Sequence, residues 1–202
     1  MAVAEVNINW RVVGKRENLH SLTSTWFENS RAITSNNMIT STKFQHQQGG
    51  TAIITAGDTS VRVVKSYRDK HNMGRWCSTK FQAKQNHIFR VVSVYVPQDK
   101  KQNGDGSVFE QQQAALLKTK RCIGVMDAFW KDFWSEIDTW LEAGELLLIG
   151  GDWNQDVYCN NLKNKFEKGI LSQPLYGHTW DVLLPHIIKA KIRLMNFSVP
   201  KH

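Results

Sequence analysis

Cysteine is scarce in this chain. Its three cysteines, Cys77, Cys122 and Cys159, form no Cys-x-x-Cys pair and leave at least one thiol unpaired. That argues against a disulfide scaffold or a structural zinc site and suits a reducing, intracellular compartment. No apolar run approaches the length of a membrane span. The opening Met-Ala-Val-Ala-Glu has neither a basic region nor an apolar core, so no signal peptide is expected. Repeats, heptad arrays and low-complexity segments are lacking, and no convincing linker precedes about Asn161. Acidic residues are in deficit: 26 Lys/Arg against 18 Asp/Glu give a net charge of +8, with a pI near 9.5. An anionic partner follows, nucleic acid first and an acidic membrane surface second.

What is present is enough for one domain with a sizeable core: 202 residues, 41% of them hydrophobic. The chain is organised around Glu145-Leu-Leu-Leu-Ile-Gly-Gly-Asp-Trp-Asn154. Leu146 to Ile149 is too short for a buried helix and reads as a strand covered on both faces. Gly150 and Gly151 allow a turn or a close backbone approach. Continued extension puts Asp152 and Asn154 on one face and turns Trp153 into packing. A carboxylate beside an amide at a strand end suits phosphodiester chemistry: the carboxylate orients or deprotonates a water near a hard cation, and the amide holds a phosphate oxygen. A strand followed by an ordinary Asp/Asn turn has the same signature.

Val3 to Trp10 alternates, with Glu5, Asn7 and Asn9 on one parity and Val6, Ile8 and Trp10 on the other, which predicts a strand with a polar face. Arg16 to Asn29 has helical apolar spacing. Ser30 to Gln48 is polar and irregular and reads as a long surface loop that includes His46. Strands are expected from Gly49-Gly-Thr-Ala-Ile-Ile-Thr55, from Val61 to Ser66, from Gly74 through about Phe81, and from Ile88 to Val96, where Pro97 ends the last of them. Helices are expected over about Val108 to Lys120 and over Asp127 to Ala143, the second capped by Asp127 and stopped at Gly144. From Asn161 onward seven Lys/Arg face only Glu167 and Asp181, more than half of the net charge.

Four of these landmarks together resemble the endonuclease/exonuclease/phosphatase superfamily of metal-dependent phosphodiesterases. They are Glu5 in Ala4-Glu-Val-Asn-Ile-Asn-Trp10, the Gly49-Gly-Thr-Ala-Ile53 strand, Val92-Ser-Val-Tyr-Val-Pro97, and Gly151-Asp-Trp-Asn154. Glu5-Val-Asn-Ile-Asn-Trp, Gly74-Arg-Trp and Gln111-Gln-Gln also resemble the endonuclease domains linked to retroelements. The resemblance implies a DNase-like α/β sandwich in α-β-β-α layers, two mostly antiparallel sheets with helices outside, incomplete at the termini. It implies a hydrolase acting on nucleic acid, DNA before RNA, with Mg²⁺ or Mn²⁺. Phosphoinositide and phospholipid substrates also occur in the superfamily. Glu5 is then the metal ligand, Asp152 the group that activates water, Asn154 a holder of phosphate oxygen, and Tyr95 a phosphate contact. Asn7, Asn9 and Arg75 are candidate cleft residues, the last paired with Trp76 as a groove for backbone phosphate and a base.

The resemblance spans about Ala4 to Asp156. The superfamily's first-strand Asn, its later strand Asp and its closing Asp-His have no counterpart, and His178, His186 and His202 lie in no matching motif. The expected division is a partial catalytic domain over 1-160 and a basic segment over 161-202. That segment is expected to pack irregularly over an open sheet edge or to stay mobile. The alternative function is an inactive remnant that binds nucleic acid through its basic surface.

Overall fold

The computed structural model describes residues 1–39, 45–98, 106–154 and the backbone of 192–196. Within these the protein is a mixed α/β structure with two sheets. The elements are β1 (Ala2–Ala4), α1 (Leu19–Trp26), β2 (Arg31–Ser35), β3 (Thr51–Thr55), α2 (Asp58–Val61), β4 (Val63–Arg68), β5 (Trp76–Gln82), β6 (Ile88–Tyr95), α3 (Val108–Lys118), α4 (Val125–Glu142), β7 (Leu146–Asp152) and β8 (Ile192–Asn196). The smaller sheet runs β1-β3-β2 and is antiparallel throughout; the larger runs β4-β5-β6-β7-β8. Strands β4, β5 and β6 are antiparallel neighbours, whereas β6, β7 and β8 are parallel. The parallel half departs from the mostly antiparallel expectation for a simple reason. Two helices separate β6 from β7, and a crossover through helices returns the chain in the same direction.

Strand periodicity sorts the larger sheet into two faces. Trp76, Val92, Val94, Leu147 and Ile149 pack with Phe129, Phe133 and Ile137 of α4 in one buried cluster. The helix residues recur every four positions, so one stripe of α4 meets the sheet. Trp76 and Phe129 meet edge to face at 5.7 Å, and each such ring kept from water stabilises the fold by about 1.5–3 kcal/mol. The opposite face, which carries Cys77, Thr79 and Ser93 at its middle and Phe81 and Phe89 at one end, meets the smaller sheet: the Ser93 hydroxyl donates to the Val3 carbonyl at 2.7 Å. Cys77 lies on that face, where burial pushes its thiol up to about 12 and keeps it unreactive. Helix α1 lies against β2. Among the described residues no helix is long and apolar enough to cross a membrane.

Several expected boundaries moved. The first strand is three residues long, because Glu5 and Asn7 take positive φ values of 57° and 59° and break the extension. The loop expected from Ser30 contains β2, a five-residue strand paired along its length with β3. Helix α4 is capped by Gly124 with Asp127 in its first turn, since Val125 is needed in the core. Gly144 does end it, at φ 73°. The sheet edge expected to be open is paired by β8. The rest of the basic segment, with His178, His186 and His202, lies outside the described residues.

Two buried ion networks pin this architecture. Arg90 donates to both oxygens of Glu145, at 2.5 and 3.0 Å, and its guanidinium lies between the rings of Tyr67 and Trp140. Lys80 adds a third contact to Glu145 at 3.0 Å. Burial alone would raise the Glu145 carboxyl, but the hydrogen bonds and charges of Arg90 and Lys80 outweigh it and hold it below the usual carboxylate range. Asp132 is likewise depressed: burial is outweighed by Arg121 and Arg75. A carboxyl with a depressed folded pKa contributes stability that is complete above its unfolded value of about 4 and is lost as pH falls through the folded value. The melting temperature should therefore fall between about pH 5 and pH 3. Glu145→Gln should flatten that slope in the same calorimetric series; an unchanged slope would remove Glu145 from the account.

Candidate functional site

The site forms where β6 and β7 end together. Tyr95 and Asp152 are direct partners in the parallel ladder, so their side chains leave the sheet side by side on the face toward the smaller sheet. The Val96 amide donates to the Asp152 carbonyl at 2.9 Å and holds the two chain ends in register. Gly151 makes this possible. Its φ is 154°, and a Cβ there would stand 1.9 Å from the Val94 carbonyl oxygen, so the glycine serves the approach of its neighbouring strand.

Beyond Asp152 the chain turns instead of extending. Asn154 has φ 48°, and its amide donates to Asp152 Oδ1 at 2.9 Å. The turn still leaves Trp153 fully buried, edge to face with Phe133 at 6.3 Å. Asn154 Nδ2 donates to the Val96 carbonyl at 2.6 Å, and Asn154 Oδ1 accepts from Gln98 Nε2 at 2.7 Å. Those two bonds fix which end of the amide faces which way. Gln98 was missed by sequence reasoning, although its place directly after Tyr95-Val-Pro97 could have suggested it.

Glu5 and Asn7 reach the same place from the other sheet. The Asn7 amide donates to the Gly49 carbonyl at 2.8 Å, and the Gly49 amide donates back to Asn7 Oδ1 at 2.8 Å. Gly49, at φ 86°, sits over Tyr95: a Cβ there would be 3.6 Å from the Tyr95 ring and 2.7 Å from Val108. The positive φ values that end β1 thus lay Asn7 against the glycine pair and leave Glu5 exposed beside it.

Tyr95 reports the convergence electrostatically. Burial pushes its phenol up to about 12; the Glu5 charge adds to the rise, a hydrogen bond with Asn154 opposes it, and the Asp152 charge adds again. Residues 147 positions apart in sequence therefore act on one hydroxyl. The phenol stays protonated at neutral pH and can donate, while two carboxylates leave the mouth of the site negative.

Two expected cleft residues are elsewhere. Arg75 is fully buried between Asp69 and Asp132, at 2.6 and 2.8 Å, with its guanidinium 4.4 Å from the Trp76 ring. It cannot meet phosphate, and Trp76 is core; the sequence shows the Arg-Trp pair but not that Asp69 and the distant Asp132 close on it. Asn9 is 1% exposed and its Oδ1 accepts from the Arg11 amide, which makes it part of a local turn. His46 bridges to Ile8 as part of the same irregular segment. Strand β8 brings Asn196 into register with Gly151, one position short of Asp152.

Glu5 and Asp152 are hard oxygen donors, the kind Mg²⁺ takes in ones and twos, completing its shell with water and substrate phosphate. Among the described residues no three His, Cys, Asp or Glu side chains gather as a closed metal cluster. Glu5 and Asp152 both lie close enough to Tyr95 for their charges to act on its hydroxyl, and a divalent cation would relieve that gathering of negative charge, so the donor set fits such an ion. Comparison of the chain with protein families, curated proteins and solved structures finds no match.

Proposed function

We propose that this protein is a Mg²⁺- or Mn²⁺-dependent phosphodiester hydrolase of the endonuclease/exonuclease/phosphatase type that cleaves nucleic acid, DNA before RNA, with a retroelement origin as the narrower form of that reading. The single observation that carries this is the meeting of Glu5, Asp152 and Asn154 around Tyr95. The sheet-on-sheet packing, with α4 on one outer face and α1 beside β2, supports a DNase-like layering. Each residue has a task its surroundings allow. Glu5, exposed at the rim, would hold the cation together with Asp152 or water. Asp152, whose Oδ1 accepts the Asn154 backbone amide, orients an attacking water and takes its proton. The Asn154 side chain, set by Gln98, and the protonated Tyr95 hydroxyl stabilise charge that builds on the phosphoryl oxygens. A bound divalent ion would supply further charge neutralisation on the phosphate.

Incubating supercoiled plasmid with the protein and Mg²⁺ should yield nicked circles, and excess EDTA should abolish them. Persistent nicking in chelator would contradict the assignment. The net charge of +8 supports a second reading, an inactive binding protein. That reading expects salt-sensitive retention of DNA with no metal-dependent nicking.

A further inference from the structure

Glu5 stands in a conformation that its own chemistry disfavours. Its φ of 57° and the 59° of Asn7 are left-handed; asparagine visits that region more readily, but glutamate is strained there. Strain of this kind gathers at ligand clamps and persists only where the surrounding structure imposes it. Here the imposing element is the segment 47–50. The Gly50 and Gly49 carbonyls accept from the Val6 and Asn7 amides at 3.2 and 2.8 Å, and the Gln47 amide donates to the Asn7 carbonyl at 3.2 Å. The Gly49 amide adds its bond to Asn7 Oδ1 at 2.8 Å.

A buried side chain ties that segment down. Gln47 is 3% exposed; its Oε1 accepts from Asn36 Nδ2 at 3.0 Å, and its Nε2 donates to the Asn37 carbonyl at 2.9 Å. Both ends of the carboxamide are thus spent on the chain leaving β2, and in a buried place neither bond is given up without the full cost of an unpaired polar group. Asn36 and Asn37 form a firm base. They are buried as well, Asn37 bridges to Met73, and a Cβ on Gly74 would stand 2.7 Å from the peptide bond between them. We infer that Gln47 is a positioning residue: by clamping the segment 47–50 to Asn36 and Asn37 it imposes the left-handed turn that keeps Glu5 beside Tyr95, where Glu5 would hold the cation. The role toward the cation rests on the proposed phosphodiesterase reading; the clamp itself does not.

The test is Gln47→Met in the whole chain, which keeps the length of the side chain and removes both of its hydrogen bonds. Hydrogen exchange followed by NMR should speed at least tenfold at the Asn7 amide while amides of β5 and β6 keep their protection. Calorimetric titration should show Mn²⁺ bound at least tenfold more weakly. Phe81→Leu, buried at the far end of β5, should lower the melting temperature and leave both readouts unchanged. Should Gln47→Met not fold, Asn36→Leu, which removes the donor to Gln47 Oε1, carries the same two measurements. Unchanged exchange at Asn7 in the folded variant would overturn the clamp. Unchanged Mn²⁺ affinity, or an equal loss in Phe81→Leu, would overturn the positioning role. A parent protein that binds no Mn²⁺ would overturn the proposed function and the role toward the cation with it, and the exchange measurement then decides the clamp alone.

Discussion

Replacing Asp152 with Ala should lower the proposed metal-dependent plasmid cleavage by about three orders of magnitude or more, the loss usual when one member of a cooperating catalytic group is removed. Asp152 ends β7 beside Tyr95 and accepts the Asn154 amide at 2.9 Å. The substitution therefore takes away both a base and the anchor of the neighbouring amide. Asp152→Asn separates these effects, because it keeps a hydrogen-bond acceptor of the same shape and removes only the charge. Cleavage in that variant should fall nearly as far, with thermal stability close to that of the parent protein. Asn154→Ala should cost about a hundredfold, the scale of a single transition-state donor. Single-turnover rates at fixed Mg²⁺ give these ratios; an Asp152→Asn rate within tenfold of the parent would remove Asp152 from the chemistry.

Arg75→Leu should destabilise the fold by about 3–5 kcal/mol, because it strands a buried carboxylate. Asp69 is 1% exposed and receives two of the Arg75 bonds, to Oδ2 at 2.6 Å and to Oδ1 at 2.8 Å. Asp132 suffers less, since Arg121 still grips both its oxygens at 2.7 and 2.8 Å. Against a total stability of about 5–15 kcal/mol the loss is large enough to leave part of the chain unfolded at 37 °C. An exposed arginine serving a phosphate would cost within about 0.5 kcal/mol and show its effect in DNA affinity. Urea denaturation decides between the two. Arg75→Leu combined with Asp69→Asn should recover part of the loss, because no unpaired charge is then buried.

The sequence told most where local chemistry and tertiary need agreed. Strands β3, β5, β6 and β7 and helices α3 and α4 carry periodicity and stop signals that survive folding, from the Gly49 pair to Gly144. It failed where a single backbone angle or a distant partner decided. The alternation from Val3 to Trp10 is real as a pattern, yet left-handed Glu5 and Asn7 end the strand at Ala4. Those turns are what lay Asn7 on Gly49. Strand β2 was hidden because its polar neighbours diluted a short run, Ala32-Ile-Thr, whose only requirement is to pair with β3. Strand β8 was hidden by Lys191 and Arg193, which flank Ile192 and interrupt its apolar run. Arg75 looked like a groove residue because its burial depends on Asp132, 57 residues away, and on a turn that folds Asp69, six residues before it, back onto the guanidinium. Asp152, Asn154, Tyr95 and Glu5 were readable as candidates from their motifs. Their meeting around one phenol needed the register of β6 with β7 and the Gly49 contact.

That meeting is tested most directly by Mn²⁺ added to isotope-labelled protein, with paramagnetic broadening of amide resonances as the readout. If Glu5 and Asp152 share one cation site beside Tyr95, the amides of Glu5, Asn7, Gly49, Asp152 and Asn154 broaden first and together, and the effect is lost in Glu5→Gln. Broadening that begins elsewhere on the surface, or that survives unchanged in Glu5→Gln, would contradict the account.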